Sequence, residues 1–331
     1  MTSPPLISLV VTMHNRADLI ERCLESIVRQ EYAPLEVLLV DNDSTDATRE
    51  VAQDWILKNE AKATARQCYF RLLDEAQKGA DYARRRGLQA AQGQWVAFFD
   101  DDDEFSPDFF PAMLSALEKQ PTARWILART CMVMPNGTTH VREGWPCPSL
   151  AEHLLASLIS TQSFLARREW LISLQAWEPH LTLWNDYYLG ALMLLHEPQP
   201  AWCPKVFHRI YQHAESLTGT RLSSKCLEVG ASLRALQCLL EKAQQKRWAS
   251  SSQLQAAQRA LYLRTQWVFG RFRQEGNTAA IKAVQALLAP PPFVFPSFIP
   301  PLWLQCVGKA LAHYTAWGGR GAWRIALIFC R

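Results

Sequence analysis

The sequence lacks an apolar run long enough to cross a membrane, and it also lacks the opening pattern of a secretory signal. No stretch reaches the roughly 18 uninterrupted apolar residues that a membrane-spanning helix requires. The first residues, Met1 to Pro5, carry no Lys or Arg and lead into a strand-like segment, residues 6–11, without a cleavable apolar segment. We therefore expect neither an integral membrane protein nor a secreted one.

The chain also has little net charge. Its 331 residues carry a formal charge of +4, which is too small to indicate nucleic-acid binding, and the run Arg84-Arg85-Arg86 is the one basic cluster that stands out. Hydrophobic residues make up 49% of the sequence and charged residues 20%, which is ordinary for a globular protein and argues against general disorder. The length predicts two structural units, or one domain with a helical extension.

The cysteines show no pattern. Nine are spread over the chain, with no Cys-x-x-Cys pair and no His at zinc-ligand spacing. An odd, unpatterned set of thiols is typical of a reduced cytosolic protein and not of a disulfide scaffold. The sequence therefore predicts free thiols and a cytoplasmic location.

Strand-like and helix-like segments alternate in the first hundred residues. Apolar, β-branched runs at residues 7–13, 35–40, 69–73 and 95–99 indicate strands, and apolar residues at helical spacing follow each of the first three. Such alternation predicts an α/β fold with a doubly wound, mainly parallel sheet and right-handed crossovers.

The regular alternation of strand-like and helix-like segments ends after Pro107. A short helix at 109–118 and a hairpin around Asn136-Gly137 are predicted, and residues 226–288 are helical in pattern until Pro290-Pro291-Pro292 ends them. We therefore divide the chain into residues 1–103, residues 104–225 and a helical, Pro- and aromatic-rich C-terminal region, residues 226–331.

The clearest chemical signal is four consecutive carboxylates, Asp100 to Asp103, directly after the buried-strand pattern 95–99. Crowded carboxylates repel one another and raise one another's pKa unless a cation lies among them, so the cluster predicts a site for a hard divalent metal. In open α/β sheets this strand end is also where ligands bind. The alternative is a solvated acidic turn that leads into a helix with Pro107 at its first position.

Six segments follow one another along the chain: Leu9-Val10-Val11-Thr12-Met13-His14-Asn15-Arg16, Val40-Asp41-Asn42-Asp43-Ser44-Thr45-Asp46-Ala47-Thr48, Gly79-Ala80-Asp81-Tyr82-Ala83-Arg84, Phe98-Phe99-Asp100-Asp101-Asp102-Asp103, Trp184-Asn185-Asp186-Tyr187-Tyr188-Leu189 and His208-Arg209-Ile210-Tyr211-Gln212-His213-Ala214-Glu215-Ser216. In this order, and over roughly residues 6–220, they resemble the GT-A-fold glycosyltransferases of family 2. The resemblance implies an inverting transferase that uses a nucleotide diphosphate sugar.

For the metal, the resemblance implies Mn²⁺ or Mg²⁺ held by Asp102, the last position of the family's Asp-x-Asp. Asp100 would face the ribose or a metal-bound water, and Asp103 would support the ligands. Asp101 stands where the family commonly has a small residue; its charge either tightens metal binding or points to solvent, and we expect the latter. His213 either completes the metal site or is a hydrogen-bonded surface residue.

For the donor, the resemblance implies that Asp41 receives the imino hydrogen of a uracil or thymine ring, with Asn42 replacing the second acid common in relatives. Thr12, Asn15 and Arg16 would line the base and ribose pocket, although Asn15 alternatively caps the following helix. Lys78 and Arg84 flank a presumed helix start and would approach the diphosphate. A solvated helix face explains the other two arginines of the run.

For transfer, the resemblance implies that Asp186 is the general base that takes the acceptor hydroxyl's proton, in a single displacement with inversion. Asn185 replaces the first acid of the usual pair, and the alternative is that Asp186 caps a helix at 187–195. Trp184 and Trp145 are candidates for stacking on a sugar, with core packing as the alternative.

Two other enzyme classes fit less well. Phosphatases with Asp-x-Asp carry it after the first strand, and enzymes that make nucleotide sugars begin with a Gly-rich loop, which is absent after Val11. A nucleotide- or metal-binding module without catalysis remains the alternative function. The acceptor would be a carbohydrate or a lipid-linked sugar, in surface polysaccharide or glycolipid synthesis. Residues 293–331 either contact a membrane peripherally or pack as a tail on the catalytic domain, and we expect packing.

Overall fold

The computed structural model describes residues 3–141, 146–178, 180–211, 221–288, 300–319 and 321–330. The chain forms two compact units. The first comprises Met1–Cys147, Ile159–His180 and Gln199–His213; the second comprises Pro148–Leu158, Leu181–Pro198 and Ala214–Arg331. Each unit is built from segments that are distant in the sequence, so folding of either requires long-range pairing.

The strands are β1 (Ile7–Met13), β2 (Leu35–Asp41), β3 (Cys68–Asp74), β4 (Trp95–Asp100), β5 (Glu104–Phe105), β6 (Trp125–Val133), β7 (Thr139–Val141), β8 (Phe164–Arg167) and β9 (Ala201–Tyr211). The helices are α1 (Ile20–Val28), α2 (Thr48–Ala65), α3 (Ala80–Ala90), α4 (Phe109–Glu118), α5 (Leu150–Ala156), α6 (Arg168–Ser173), α7 (Asn185–His196), α8 (Cys226–Lys246), α9 (Ser251–Gln274), α10 (Thr278–Leu288), α11 (Leu302–Ala316) and α12 (Ala322–Ile328).

One mixed sheet organises the first unit. Its strand order is β3-β2-β1-β4-β8-β6-β9-β5, with β7 paired to β6. Strands β3, β2, β1 and β4 are parallel neighbours, which confirms the predicted parallel half. Every residue of β1 and β2 is buried. Such continuous apolar strands are typical of a parallel sheet covered on both faces.

The other half of the sheet is only partly parallel. Strand β8 pairs antiparallel with β4 and β6, and β9 runs parallel to β6 but antiparallel to β5. The predicted hairpin around Asn136-Gly137 joins β6 to β7, and Gly137 takes a φ of 80°, a conformation that favours glycine.

The second unit is helical in its described part. It contains α5 and α7 to α12, and its longest helix, α9, has 24 residues and begins at a capping box formed by Ser250 and Gln253. Helix α10 is described up to Leu288, and the proline run that was predicted to end the helical region lies outside the described residues. Across the described ranges, no helix combines the length and apolar character that a bilayer crossing needs.

A buried histidine lies in the core of the first unit. His208 on β9 is 1% exposed, and its ring centroid lies 4.6 Å from that of Phe109 and 4.7 Å from that of Phe105. Its Nδ1 has no hydrogen-bond partner among the described residues. Burial lowers the pKa of His208 from 6.5 to about 3. The imidazole is therefore neutral in the folded state until strongly acid pH.

This imidazole should make the protein acid-sensitive. Below pH 6.5 the unfolded chain binds a proton at His208 that the folded chain does not bind until about pH 3, so folding stability falls across that window. As the pH is lowered through this window, the free energy of unfolding should decrease in both proteins. The decrease should be smaller for a His208→Phe variant than for the wild type, by up to ~1.4 kcal/mol per pH unit. Urea unfolding at several pH values measures this difference. His140→Phe, a change at an exposed strand position, is the control; parallel curves for His208→Phe and wild type would contradict the expectation.

Candidate functional site

The carboxyl ends of three parallel strands meet at one edge of the sheet. Met13 of β1 is paired with Asp41 of β2, and Thr12 of β1 is paired with Asp100 of β4. Three residues predicted from separate parts of the sequence, Thr12, Asp41 and Asp100, thus lie on neighbouring strands. This is the edge at which open α/β sheets bind their ligands.

Asp41 has an unsatisfied acceptor. It is 7% exposed, and its Oδ2 accepts a hydrogen bond from the backbone N–H of Ser44 at 3.4 Å. Its Oδ1 is buried and has no hydrogen-bond partner within the described part of the chain. A buried carboxylate oxygen without a donor is costly, so a donor from a bound molecule would stabilise it.

Asn42, which replaces an acid, has a structural role. It is 5% exposed, and its side-chain amide donates to the carbonyls of Glu75 at 3.0 Å and Gln77 at 2.7 Å. Its Oδ1 accepts from the backbone N–H of Gly79 at 2.8 Å. These bonds fix the loop that leads into α3. Lys78, in the same loop, has a highly exposed ammonium 3.4 Å from Asp43 Oδ2.

The loop after β1 is tied to the loop after β2. Asn15 adopts a φ of 53°, and its Oδ1 accepts a hydrogen bond from the backbone N–H of Thr45 at 2.8 Å. Helix α1 begins only at Ile20, so the alternative that Asn15 caps this helix is wrong. The Arg16 backbone N–H donates to Thr48 Oγ1 at 2.6 Å. Of the three predicted base-pocket residues, Asn15 and Arg16 therefore lie in a β1–α1 loop that hydrogen bonds hold in place, and Thr12 lies at the end of β1 just before it.

The four aspartates have four different environments. Asp100 Oδ1 accepts from Arg84 at 2.7 Å, and its Oδ2 accepts from Gln162 at 2.8 Å. Asp103 is 2% exposed and accepts from the backbone N–H of Tyr211 at 2.8 Å and from Gln162 at 2.7 Å. A single amide, Gln162, thus bridges the first and the last carboxylates of the cluster.

The expectation that Asp101 points to solvent is wrong. Asp101 is 7% exposed and accepts a hydrogen bond from the backbone N–H of His14 at 3.0 Å, and the Arg16 Nε lies 3.9 Å from its Oδ1. The strand β4 ends at Asp100, so the chain turns there and brings the next side chain beneath the β1–α1 loop, where this N–H is available.

Burial and like charges both act on this cluster. Desolvation raises the pKa of Asp101 well above its ordinary value, and the charge of Asp102 raises it further. The pKa of Asp103 is raised for the same reasons, burial first and Asp102 second. Both effects favour the protonated carboxyls of Asp101 and Asp103, whereas Arg16 Nε lies 3.6 Å from Asp102 Oδ2.

The donor set fits a hard divalent cation. Asp100 and Asp102 are the two more accessible carboxylates, with side chains 32% and 18% exposed, and carboxylate oxygen is the ligand type that Mg²⁺ and Mn²⁺ prefer. Within the described residues, no group of three or more His, Cys, Asp or Glu side chains is arranged to hold a metal ion. The predicted ligand His213 lies outside the described residues, as does Trp145.

Arg84 is held against the cluster. It lies one turn inside α3, is 5% exposed, and its guanidinium carbon lies 4.9 Å from the ring centroid of Trp177. Of its two neighbours in the basic run, Arg86 is exposed as expected, and the side chain of Arg85 is 38% exposed. Arg85 lies 2.8 Å from Glu178 Oε1 and 3.4 Å from His180 Nε2.

Sequence reasoning missed Gln162 and the pair Asp81 and His180. Asp81 is 1% exposed, and its Oδ2 lies 2.9 Å from His180 Nδ1. The His180 ring stacks on Tyr82 with centroids 3.7 Å apart. Each of these contacts joins positions separated by more than fifty residues, so no local pattern could have indicated them. An acid inside the first turn of α3 was the one available signal for Asp81.

Asp186 belongs to the second unit. It lies in the first turn of α7, its Oδ1 accepts from the backbone N–H of Tyr187 at 2.8 Å, and its own N–H donates to Asn185 Oδ1 at 2.8 Å. The N-cap is Trp184, one residue before the helix, so Asp186 is not the capping residue itself. Trp184 has a φ of 60° and lies under Arg264, whose guanidinium carbon is 5.2 Å from its ring centroid.

Comparison with known proteins matches the first half of the chain to a family. Residues 8–157 match the model described as "Glycosyl transferase family 2". The uncharacterized glycosyltransferase YibD of Escherichia coli K12 is 32% identical over 136 residues, which is 39% of this chain and 37% of that protein. The alignment thus spans little more than a third of this relative.

Solved structures match nearly the whole chain. S. aureus TarS 1–349 superposes with a TM-score of 0.62 at 16% identity, covering 96% of this chain and 91% of that one. The mannosyltransferase PcManGT from Pyrobaculum calidifontis, solved with GDP-Man and Mn²⁺, gives a TM-score of 0.55 at 18% identity and covers 99% and 87%. At these identities the likeness shows the fold, and it confirms the predicted GT-A-like α/β architecture with C-terminal helices.

The fold, the order of the motifs along the chain and the family model agree. Residues 8–157, somewhat less than half of this chain, are therefore similar to glycosyl transferase family 2.

Proposed function

We propose that this protein transfers a sugar from a UDP- or dTDP-sugar to an acceptor hydroxyl, with inversion at the anomeric carbon. The observation that carries the proposal is the buried, unpartnered Oδ1 of Asp41 at the sheet edge shared with Asp100. Uracil and thymine present an imino N–H, which is the donor this oxygen needs. The alternative function is a nucleotide-binding module without catalysis.

The donor would lie along this edge. Asp41 accepts the imino hydrogen of the base, and Thr12, Asn15 and Arg16 line the base and ribose pocket. Lys78 and Arg84 neutralise diphosphate charge, for which their positions around the start of α3 are suited. Asp100 and Asp101 complete the nucleotide-sugar site, Asp100 toward the ribose and Asp101 through its bond to the β1–α1 loop.

Asp102 would hold Mn²⁺ or Mg²⁺, with His213 as the second protein ligand. When bound, the cation supplies charge neutralisation for the departing nucleoside diphosphate. The repulsion among these neighbouring carboxylates, which a cation would relieve, supports a cation there. The protein's own contribution is to keep these carboxylates ordered, through Arg84, Gln162 and the backbone N–H groups of His14 and Tyr211.

Asp186 would act as the general base. Asp186 is a carboxylate in the first turn of α7, and a carboxylate can take the proton of the acceptor hydroxyl as its oxygen attacks. Attack on the face opposite the leaving group gives inversion. Trp184, next to this residue, is the candidate for stacking on a sugar.

We further propose that the acceptor is a carbohydrate or a lipid-linked sugar and that the enzyme works in the cytoplasm, where it builds surface polysaccharide or glycolipid. All nine cysteines are free thiols, which supports a reducing compartment. Neither the composition nor the net charge favours a nucleic-acid partner.

A panel of UDP-, dTDP- and GDP-sugars tests the donor assignment. We expect binding and slow hydrolysis of the uridine or thymidine compounds only, and Asp41→Asn should weaken their binding by about tenfold or more, the scale of a lost hydrogen bond to a charged group. The control is Asp74→Asn, because Asp74 is an exposed carboxylate paired in register with Asp41 on the adjacent strand. Preference for GDP-sugars would contradict the assignment, and tight binding with no turnover of any donor and acceptor would favour the binding module.

A further inference from the structure

Helix α11 has one face packed inside the second unit. The residues that share this face are buried, and they are Leu304, Gly308, Leu311, Ala312 and Thr315. Helix α9 approaches closely at its own glycine: a Cβ added at Gly270 would lie 2.5 Å from the Ala312 carbonyl oxygen. A Cβ added at Gly308 would lie 2.8 Å from the Gln266 side chain. The orientation of α11 on α9 is therefore fixed by backbone contact.

The opposite face of α11 is exposed along its whole length. It consists of residues spaced at three- and four-residue steps, namely Leu302, Cys306, Lys309, Ala310, His313 and Trp317. Leu302 is 77% exposed and Trp317 is 88% exposed, so the largest apolar side chains of this face are the most accessible ones. We call these six residues the outer face of α11. A soluble protein normally buries such side chains or covers them with a partner.

Aromatic side chains stand at both ends of this helix. Trp303 flanks the outer face at its beginning, and Tyr314 flanks it near its end; they are 44% and 48% exposed. The helix has 15 residues, which corresponds to a length of about 22 Å. Trp and Tyr are the residues that prefer the headgroup level of a bilayer. A helix that lies flat in this region buries its apolar side chains while its cations stay among the headgroups.

The charge of the surrounding sequence has one sign. After Glu275 the chain contains no Asp or Glu, whereas it contains Lys282, Lys309, Arg320, Arg324 and Arg331. Of these, Lys309 lies on the outer face, and Arg324 is exposed on α12 near Ile328, which is itself 70% exposed. Exposed Lys309 and Arg324, in a segment of sequence without acids, are complementary to anionic headgroups and not to a second acid-free copy of the same surface.

We propose that the outer face of α11 docks on an anionic lipid surface, with the helix axis parallel to the membrane plane. Helix α11 would then pack on α9 of the same unit with one face and contact lipid with the other. Docking requires neither a nucleotide sugar nor an acceptor. Lipid binding can therefore be tested independently of the proposed sugar transfer. Its use would be to hold the protein where lipid-linked molecules are presented.

Vesicle flotation with the full chain tests the proposal. We expect the protein to float with vesicles of phosphatidylcholine mixed with phosphatidylglycerol, to bind phosphatidylcholine alone much more weakly, and to be released by salt. Leu302→Ser/Trp317→Ser should abolish flotation, and Lys309→Gln should weaken binding about fivefold, the scale of one cation at an anionic surface.

Two matched variants serve as controls. Leu57→Ser/Leu227→Ser removes two leucines that are 64% and 60% exposed on other helices, and Lys58→Gln removes an exposed cation on α2. Both should float like the wild type. Equal losses in the control variants, or no binding to either kind of vesicle, would overturn the proposal. A dimer in sedimentation velocity that Leu302→Ser/Trp317→Ser dissociates, with no flotation of the wild type, would also overturn it and would identify a second copy as the partner.

Discussion

An Asp102→Ala variant is expected to lose metal-dependent sugar transfer and to keep its fold. The reason for the loss is that this carboxylate is the proposed cation ligand, and removal of such charge stabilisation costs at least ~10²-fold in rate. The reason for the retained fold is that Asp102 raises the pKa of both Asp101 and Asp103, so its removal relieves repulsion while it gives up the contact with Arg16. Product formation at several Mn²⁺ concentrations and a thermal melt measure the two effects.

Glu104→Gln is the matched control for this change. Glu104 is a carboxylate two positions further along, 3.6 Å from Arg22 and 3.1 Å from the Tyr211 hydroxyl, and it has no place in the proposed donor site. It should retain metal-dependent transfer. Full activity of the wild type in excess chelator, or of Asp102→Ala at any metal concentration, would show that the aspartate cluster does not act through a cation.

An Asp186→Asn variant should bind the donor within a few-fold of the wild type but transfer the sugar at least ~10²-fold more slowly, the usual scale for a lost general base. The amide has the shape of the carboxylate and can still accept from the backbone N–H of Tyr187, so the start of α7 should persist. Single-turnover transfer and donor titration, carried out on the same preparation, separate the chemical step from binding.

The position of the charge can be tested separately from its presence. The double variant Asn185→Asp/Asp186→Asn keeps one carboxylate in the first turn of α7 and moves it by one residue. If the base must face the acceptor hydroxyl, this variant should be as slow as Asp186→Asn. Recovery of the rate in the double variant, or weak donor binding with normal turnover in the single variant, would show that Asp186 is misassigned.

The parallel half of the sheet could be predicted because its signals are local. Strands β1 to β4 are apolar runs bounded by turn residues, and the helices between them show apolar residues at three- and four-residue spacing. Strand β8, only four residues long, and its antiparallel pairing with β4 were not predicted. A short strand whose partners β6 and β4 lie about forty and seventy residues earlier in the chain has no periodic pattern of its own. The proposed division at residues 103 and 225 stays a prediction.

The site residues likewise fall into those that local sequence signals could predict and those that they could not. Asp41 and the aspartate cluster could be predicted because a carboxylate at the end of an apolar strand is visible in the sequence, and parallel strands bring their carboxyl ends to one edge. The burial of Asp101 could not, because it depends on the direction of a turn and on the backbone N–H of His14 in the loop after β1. The same holds for Arg85, whose partner Glu178 is ninety positions away.

The sequence by itself determined the α/β class, the sheet edge that carries the carboxylates and the family, because these depend on residue type, order and periodicity. Only the tertiary structure decided which carboxylate is buried, which is bridged by Gln162, and which face of α11 is left exposed. The physical reason is that burial and hydrogen bonding depend on groups brought together from distant positions. A local sequence pattern determines the helix or strand on which a side chain lies, and the tertiary structure determines which groups surround that side chain.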